Sequence, residues 1–437
     1  MRSPRTFKSL PFLVVLLALG ACSAPGLPER SPLGAWFLFS SIVDRLSQES
    51  ASEAELWPTI ESDIQGSITA LVNDGTYLYI GGYLNSDTSL DWRIEKRRLS
   101  TGALVSEFGT RGVVVSEPTT GDDELLAIGQ IDGFVYACGF QNDNANGGSQ
   151  VRIEKRNATT GELETAFGTG GVFTGNLITG GVDICRALAV DATDLIVAGV
   201  EARDGTMGGP YMAMSRLDPA TGIGTSNPFG FAGAMTQPGT IYDVVLSGDG
   251  TTVFFGGIFD GANTGWVGTR VDIASGNSAT GFTAIAGGAP GDQGVYGIAV
   301  DGSDFYMGGF DLGTDHWELR IANDTTGAVS ATVNGTAMND GAPNSTEAMD
   351  GSVYIGGFAE EAGDTSTKWR VEKRDSTGSY DTGFGSSGIL DIDVSTGDDA
   401  INDLTLDGTY MYLGGNEESS GSSQWHLERR RMDTGAE

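Results

Sequence analysis

The residues in this sequence whose types and spacing suit chemistry are carboxylates, which occur in adjacent pairs after glycine. Two such pairs, Asp122-Asp123 and Asp398-Asp399, lie in segments that connect predicted β-strands. Calcium ions bind several carboxylate and carbonyl oxygens at once, so these four residues are candidate ligands of a Ca²⁺ site. The alternative is that aspartate, asparagine and glycine are frequent in turns for conformational reasons alone.

More carboxylates lie in segments predicted to leave the ends of neighbouring strands. They are Asp87, Asp91, Asp143, Glu201, Asp204, Asp260, Asp311, Asp315, Glu360, Glu361, Asp364, Glu417 and Glu418. A rim with this composition suits a cationic or polar partner. Paired carboxylates also hydrolyse glycosidic bonds when their separation is right, so a carbohydrate-active hydrolase is an alternative to a binding module. A purely structural envelope protein is a third alternative.

The three cysteines fall into two groups. Cys22 directly follows Leu19-Gly20-Ala21, a pattern similar to the bacterial lipoprotein-processing box, in which the cysteine is acylated. Cys138 ends a predicted second strand and Cys185 begins the next predicted first strand, so the two sulfurs can meet across adjacent repeat units. In an oxidising compartment they would form a disulfide, and the alternative is a pair of buried free thiols.

Residues 1–21 are predicted to be a lipoprotein signal peptide. The start is basic, and an apolar run from Leu10 to Leu19 is too short to cross a bilayer as a stable anchor. An ordinary secretory cut is the alternative to acylation at Cys22. Residues 22–56 are predicted to be a proline-containing tether followed by one short amphipathic helix, because apolar residues recur at near-helical spacing from Trp36 to Leu46.

Composition excludes several classes of function. The net charge of −33 repels nucleic acid, so no nucleic-acid partner is expected. The chain has only two histidines, His316 and His426, which is too few for a histidine-rich metal centre. The sequence contains no Gly-x-Ser-x-Gly motif, phosphate loop or dinucleotide fingerprint, and no cofactor other than Ca²⁺ is predicted.

A repeated strand predicts the fold from residue 57 to residue 437. Asp91 to Arg97 reads Asp-Trp-Arg-Ile-Glu-Lys-Arg, and seven copies of this pattern follow apolar runs that end in small residues. The other copies start at Val151, Tyr211, Trp266, Trp317, Trp369 and Trp425. Each copy fits the third strand of a four-stranded antiparallel unit. The prediction is a seven-bladed β-propeller in which the segment Leu56 to Ile60 completes the last blade and closes the ring.

Two features of the third strand are predicted to be structural. The tryptophans at one repeat position are expected to pack between blades. The alternating Arg, Glu and Lys residues are expected to form exposed cross-strand and inter-blade ion pairs, each contributing about 0–1 kcal/mol.

The segment from Arg156 to Val172 contains a Thr-Gly turn and then Phe-Gly-Thr-Gly-Gly, and Arg374 to Ile389 has a similar order. This pattern resembles the bacterial delta-sixty β-propeller repeat, in which an Arg-ended strand and a glycine turn precede Phe-Gly-x-x-Gly. The match is good in units one, two and six and weak in units three to five. The resemblance implies a propeller fold and an extracytoplasmic setting, and it implies no particular reaction.

Together these features predict a lipid-anchored, monomeric binding or scaffolding module of the bacterial cell envelope, either periplasmic or on the outer membrane surface. The predicted partner is an envelope protein or polysaccharide that contacts the acidic rim, and the predicted membrane contact is the lipid on Cys22.

Overall fold

The structure is a computed structural model that describes most of the chain after residue 56. The described residues are 57, 60–86, 89–143, 148–175, 183–199, 212–224, 238–259, 265–287, 294–311, 316–336, 338–360, 363, 365–419 and 421–437. Among them, no helix is long and apolar enough to cross a membrane. The predicted signal peptide, the acylated Cys22, the tether and the amphipathic helix lie outside these residues and stay predictions.

Within the described part of the chain, the regular structure is a series of β-strands grouped into seven repeat units. The first strands of units 1 to 7 are β1 (Ile60–Asn73), β5 (Glu124–Ile131), β9 (Cys185–Val190), β12 (Gly239–Leu246), β16 (Gly294–Asp301), β20 (Asp340–Met349) and β24 (Ala400–Leu406). The second strands are β2 (Tyr77–Asn85), β6 (Phe134–Asp143), β10 (Leu195–Gly199), β13 (Thr252–Phe259), β17 (Asp304–Asp311), β21 (Ser352–Glu360) and β25 (Tyr410–Ser419).

The third strands carry the repeated sequence. They are β3 (Leu90–Arg98), β7 (Gly148–Asn157), β11 (Ala213–Leu217), β14 (Gly265–Asp272), β18 (His316–Asn323), β22 (Lys368–Asp375) and β26 (Ser422–Arg431). The described fourth strands are β4 (Val113–Ser116), β8 (Val172–Gly175), β15 (Ile285–Gly287), β19 (Val329–Asn334) and β23 (Ile389–Ile392).

Each unit is an antiparallel meander, as the sequence predicts. Units 2, 4, 5 and 6 are four-stranded sheets, and the described residues of unit 3 form three strands. The first strand of each unit packs against the first strand of the next unit, and β24 of unit 7 packs against β1. Sheets arranged side by side around their first strands are the architecture of a β-propeller.

The long strand β1 belongs to two sheets. Its first half pairs with β26, with Ile60 opposite Leu427 and Gln65 opposite Gln424. Its second half pairs with β2, so units 7 and 1 appear as one seven-stranded sheet. The described pairing with unit 7 begins only at Ile60, the last residue of the predicted segment Leu56 to Ile60, and continues to Gln65, because the pairing strand runs directly into the first strand of unit 1.

A β-bulge interrupts all seven first strands at the same repeat position. In unit 1, Ile68 pairs with Gly82 and Ala70 pairs with Gly81, so Thr69 is the extra residue. The extra residues in units 1 to 7 are Thr69, Leu126, Arg186, Tyr242, Tyr296, Asn344 and Asn402. A bulge bends its strand and changes the direction of the side chains beside it.

The bulge explains the Gly-Gly pairs that end the apolar runs. A Cβ atom on Gly82 would lie 2.2 Å from the carbonyl oxygen of Ser67 on the bulged strand, which is too close for any side chain. A Cβ atom on Gly81 would lie 2.5 Å from Leu125 in the first strand of the next unit. The second glycine therefore allows the bulge, and the first allows the neighbouring unit to approach.

The repeated tryptophans pack between units, which confirms that prediction. Trp92, Trp266, Trp317, Trp369 and Trp425 are all at most 3 % exposed. In unit 1 the indole Nε1 of Trp92 donates a hydrogen bond to the carbonyl oxygen of Phe140 in unit 2, at 3.2 Å. The side chain of Arg152, from the third strand of unit 2, lies over the Trp92 ring.

The charged face of the third strand differs from the prediction. Glu154 is fully buried and accepts hydrogen bonds from Arg152 and Arg156 of its own strand, at 2.9 and 2.7 Å from the Nε atoms. Glu95 binds Arg93 and Arg97 in the same way. The pairs form within one strand because residues two positions apart share a face. They are buried because that face packs against the preceding unit.

The Phe-Gly segments join neighbouring units. Phe108 and Phe167 are fully buried, and each ring packs edge-on against a tyrosine of its own unit. The backbone N–H of the following glycine, Gly109, donates a hydrogen bond to the carbonyl oxygen of Thr160 in the Thr-Gly turn of unit 2, at 2.8 Å. Gly385 of unit 6 makes the same bond to Thr434 of unit 7.

Candidate functional site

The seven first strands surround a cavity of about 600 Å³. Residues from every one of β1, β5, β9, β12, β16, β20 and β24 line it, and we call it the axial cavity. Cavities of this size commonly hold small molecules. The repeated sequence pattern does not predict this cavity.

The lining is polar on one side and mostly apolar on the other. Units 1 and 2 contribute side chains such as Val72, Leu126 and Ile128. Units 4 to 7 contribute carboxylates, amides and phenols. The titratable residues in the lining are Arg186, Tyr242, Asp243, Tyr296, Glu347 and Asp403.

Two of the carboxylates join neighbouring first strands. Asp243 of unit 4 accepts a hydrogen bond from the backbone N–H of Ile298 in unit 5, at 2.8 Å. Asp403 of unit 7 accepts the equivalent bond from the N–H of Leu71 in unit 1, at 2.7 Å, and a second from the hydroxyl of Ser345, at 2.8 Å. Both residues directly follow a bulge, so the bulge directs each carboxylate toward the next strand.

Burial raises the pKa of these carboxyl groups. The pKa of Asp243 is raised to about 7 by burial and by the charge of Asp403, against the lowering effect of the Ile298 N–H. The pKa of Asp403 is raised to about 6, again by burial, although its three hydrogen bonds favour the ionised form. Ionised carboxylates in this cavity therefore lack the compensation that a cation would provide.

Glu347 is the third carboxylate of the cavity. It lies on β20, and among the described residues no hydrogen bond or ion pair to its side chain is present. Burial raises its pKa to about 8, and the charges of Asp403 and Asp243 raise it further in the same direction. Glu347 thus differs from the two aspartates, because no bond to the protein accounts for its position in the cavity.

Two tyrosines and one arginine form the aromatic side of the lining. The rings of Tyr242 and Tyr296 are tilted against each other with their centres 4.8 Å apart. The guanidinium of Arg186 lies 5.5 Å from the centre of the Tyr242 ring. Arg186 also lowers the pKa of Glu124, whose pKa is raised mainly by burial. All three side chains are the extra residues of their bulges.

The predicted carboxylate pairs have structural contacts instead of facing one another across a site. Asp399 is fully buried, and its carboxylate accepts hydrogen bonds from the backbone N–H and hydroxyl of Ser395 and from the N–H of Glu418, at 2.7, 2.6 and 3.0 Å. Asp123 makes the equivalent contacts with Thr119 and the N–H of Asn142. Each aspartate therefore holds the connection before a first strand against the end of the second strand.

The other member of each pair is exposed. Asp122 accepts a hydrogen bond from the N–H of Leu90, and Asp398 from the N–H of Thr367. The two pairs belong to units 2 and 7, at separate places on the rim. Among the described residues, no group of three or more His, Cys, Asp or Glu side chains is arranged to hold a metal ion.

The other predicted rim carboxylates are only partly described. Asp87, Glu201, Asp204, Asp260, Asp315, Glu361 and Asp364 lie outside the described residues. Asp91 and Glu417 are buried, at 3 and 8 % exposure, and so contribute little to the surface. Glu360 and Glu418 are partly exposed at the ends of second strands.

Cys138 and Cys185 are joined by a disulfide with an S–S distance of 2.03 Å. Cys138 occupies the position of the first glycine in the Gly-Gly pairs, and Cys185 directly precedes the bulge at Arg186. The close approach that glycine allows between other units thus places the two sulfurs of units 2 and 3 together.

The carboxylates of the cavity can be recognised in the sequence by their position within first strands, although they are not part of the repeated pattern. Asp243 and Asp403 each stand inside a first strand in which apolar residues predominate, and Glu347 stands two positions before the end of β20. A charged residue inside such a strand indicates a special contact. Strict alternation would have assigned these residues to the wrong face, because each bulge shifts it by one residue.

No family model matches the chain. No curated protein matches it either. Among solved structures, the Dos1 propeller has 13% sequence identity and a TM-score of 0.49, with 85% of this chain and 94% of that chain covered. The polysaccharide lyase Uly1 has 11% identity and a TM-score of 0.49, with 84% and 90% covered. The WD40 domain of Pan2 from Neurospora crassa has 8% identity and a TM-score of 0.48, with 85% and 92% covered. The β-propeller assignment rests on strand pairing and the shared cavity, and not on these similarities.

Proposed function

We propose that the protein is a lipid-anchored, non-catalytic binding module of the bacterial cell envelope, built as a closed ring of seven blades. It holds a protein or polysaccharide of the envelope against the rim where second strands lead to third strands. The observation that carries the proposal is a contrast between rims. At one rim the Phe-Gly segment of a unit bonds to the Thr-Gly turn of the next, whereas at the other rim the connections between second and third strands vary in length.

Ring closure is supported by contacts that recur at the junction of units 7 and 1. The indole of Trp425 donates to the carbonyl oxygen of Tyr83 at 2.8 Å, as that of Trp369 donates to Asn416 between units 6 and 7. The side-chain amide of Asn402 donates to Ile68 at 2.8 Å, and that of Asn344 donates to Ile401 at the same distance. The junction thus has the same bonds as an internal one, and the pairing of β1 with β26 covers the edge of the unit 7 sheet.

The variable rim is the proposed binding surface. The connection between β10 and β11 covers residues 200–212, whereas that between β25 and β26 covers residues 420–421. Connections of different length on a rigid scaffold are where binding residues are commonly found. Many of the predicted carboxylates lie in these connections, so a partner with basic or polyhydroxyl surface suits this rim.

The extracytoplasmic setting is supported by the disulfide between units 2 and 3. Disulfides persist in oxidising compartments and are rare in the cytosol. Together with the basic and apolar N-terminal sequence that ends at Cys22, this favours export and acylation. One acyl chain gives only marginal membrane binding, so the proposal includes multiple acylation at Cys22.

The test uses the full chain with its own signal sequence in a bacterial host. We expect labelled palmitate to be incorporated into the wild type and the protein to sediment with membranes, while Cys22→Ser is unlabelled and soluble. Exchange of residues 200–212 for a short Gly-Ser connection should abolish capture of an envelope component by the otherwise folded protein. Turnover of a polysaccharide that is lost when one rim carboxylate is neutralised would refute the non-catalytic proposal.

A further inference from the structure

The axial cavity carries an imbalance of charge that its own residues do not resolve. Three carboxylates line it, on Asp243, Glu347 and Asp403, and the cation in the lining is Arg186. The pKa values of the three carboxyl groups are raised by burial, and two of them are raised further by neighbouring carboxylates. The lining thus holds three carboxylates and one guanidinium, and that guanidinium lies over the Tyr242 ring.

The two aspartates and Glu347 have separate roles in this imbalance. Asp243 and Asp403 each accept a backbone N–H from the next unit, and these bonds fix their orientation. Glu347 has no such bond among the described residues, and its half-buried side chain lines the cavity wall. A carboxylate that is largely removed from water and has no partner in the protein is costly to ionise unless a cation or a proton reaches it.

The lining also has surfaces that suit the rest of a cationic molecule. Tyr242 and Tyr296 present aromatic rings, and rings of this kind attract an ammonium group at their faces. Opposite them, Val72, Leu126 and Ile128 provide an apolar wall for an alkyl chain. Among the described residues, no group of three or more His, Cys, Asp or Glu side chains is arranged to coordinate a metal ion, so the lining fits an ammonium group better than a metal.

We propose that this cavity binds a small aliphatic ammonium ion, with Glu347 as its direct ion-pair partner and Asp243 and Asp403 contributing negative potential. The alkyl part lies against the apolar wall of units 1 and 2. The site is on the axis and is separate from the variable rim, so the proposal does not depend on the envelope partner suggested above. Loss of rim binding would leave this site intact, and the reverse also holds.

The test measures binding of 1,4-diaminobutane to the full chain by isothermal titration calorimetry at moderate salt. The neutral analogue 1,4-butanediol has a similar shape and is the ligand control. Glu347→Gln removes the proposed ion pair with almost no change in volume. Glu107→Gln is the protein control, because Glu107 is fully exposed and the substitution changes the net charge equally.

We expect the diamine to bind the wild type and Glu107→Gln equally at about pH 9, and the diol not to bind. Glu347→Gln should weaken diamine binding at least tenfold. In the wild type, lowering the pH to about 5 should also weaken binding at least tenfold, because the cavity carboxylates become protonated while the amine stays charged. Calcium ions should not compete.

Several results would overturn the proposal. Equal binding of diol and diamine would indicate a site that does not recognise charge. Unchanged affinity in Glu347→Gln would show that Glu347 is not the ion-pair partner. Absence of diamine binding by the wild type at millimolar concentration would show that the cavity is not an ammonium site. The pH dependence of the wild type needs no variant, so it tests the proposal even if Glu347→Gln folds poorly.

Discussion

The carboxyl group of Glu347 should make the folded protein less stable as the pH rises. Its folded-state pKa is about 8, whereas its ordinary value is 4.5. Between these values the folded protein holds a proton that the unfolded chain has lost. The free energy of unfolding therefore decreases as pH increases through this range, and the contribution of Glu347 is unfavourable above about pH 8.

The size of the effect follows from the difference between the two pKa values. At 1.36 kcal/mol per pKa unit, a rise from 4.5 to about 8 corresponds to about 5 kcal/mol. Part of this arises from repulsion shared with Asp403 and Asp243, and the carboxylate is partly open to the cavity, which screens it. We therefore expect Glu347→Gln to be about 2–3 kcal/mol more stable than the wild type at about pH 9, and nearly equal to it at about pH 5.

Urea unfolding followed by tryptophan fluorescence is a suitable assay, because five repeat-position tryptophans are buried in the fold. The protein carries many other carboxylates, so the quantity to compare is the difference between variant and wild type at each pH. Glu107→Gln should show almost no pH-dependent difference, since Glu107 is exposed. If Glu347→Gln and the wild type lost stability in parallel from pH 5 to pH 9, the reasoning about this buried carboxylate would be wrong.

Three further predictions concern the contacts between units. Replacing Cys138 and Cys185 by serine opens a link across 47 residues and should lower the free energy of unfolding by about 4 kcal/mol in the oxidised protein, with no further effect of a reductant on the variant. Asp399→Ala leaves buried donors without an acceptor and should cost about 3 kcal/mol in urea unfolding, whereas the exposed neighbour Asp398→Ala should stay within about 0.5 kcal/mol of the wild type. Chelator treatment followed by millimolar Ca²⁺ should leave the melting temperature unchanged, because the buried rim aspartates already accept N–H groups; a clear rise would show a cation site.

The repeat could be predicted from the sequence because local packing requires particular residue types at the repeated positions. Trp92 and its equivalents mark the third strand, and the Gly-Gly pairs mark the second strand, since Gly82 allows no side chain against the carbonyl of Ser67. The charged face of the third strand was harder to interpret. Alternation shows that Glu154 shares a face with Arg152 and Arg156, but it does not show that the preceding unit covers that face.

The bulges could not be predicted in the same way, because their extra residues share no chemical type. Thr69, Leu126, Arg186 and Tyr242 all occupy this position in different units. What they share is a relation between two strands, set by the close approach that the glycine opposite permits. The bulge shifts the register by one residue and so determines which side chains face the axial cavity. The position of the bulge depends on how two strands pair, so it cannot be predicted from the sequence of either strand alone.

The polar residues of the first strands fall into two groups: those that bond to a neighbouring unit, and Glu347, which does not. Asp403 and Asn402 bond to backbone groups of unit 1, and Asp243 does the same for unit 5, so the fold itself accounts for these polar residues in an apolar strand. Glu347 occupies the same cavity, raises the cost of ionisation there and joins no units through any described bond. A residue that lowers stability and makes no contact for the fold is best explained by a ligand, so Glu347 is the residue whose substitution separates binding from folding.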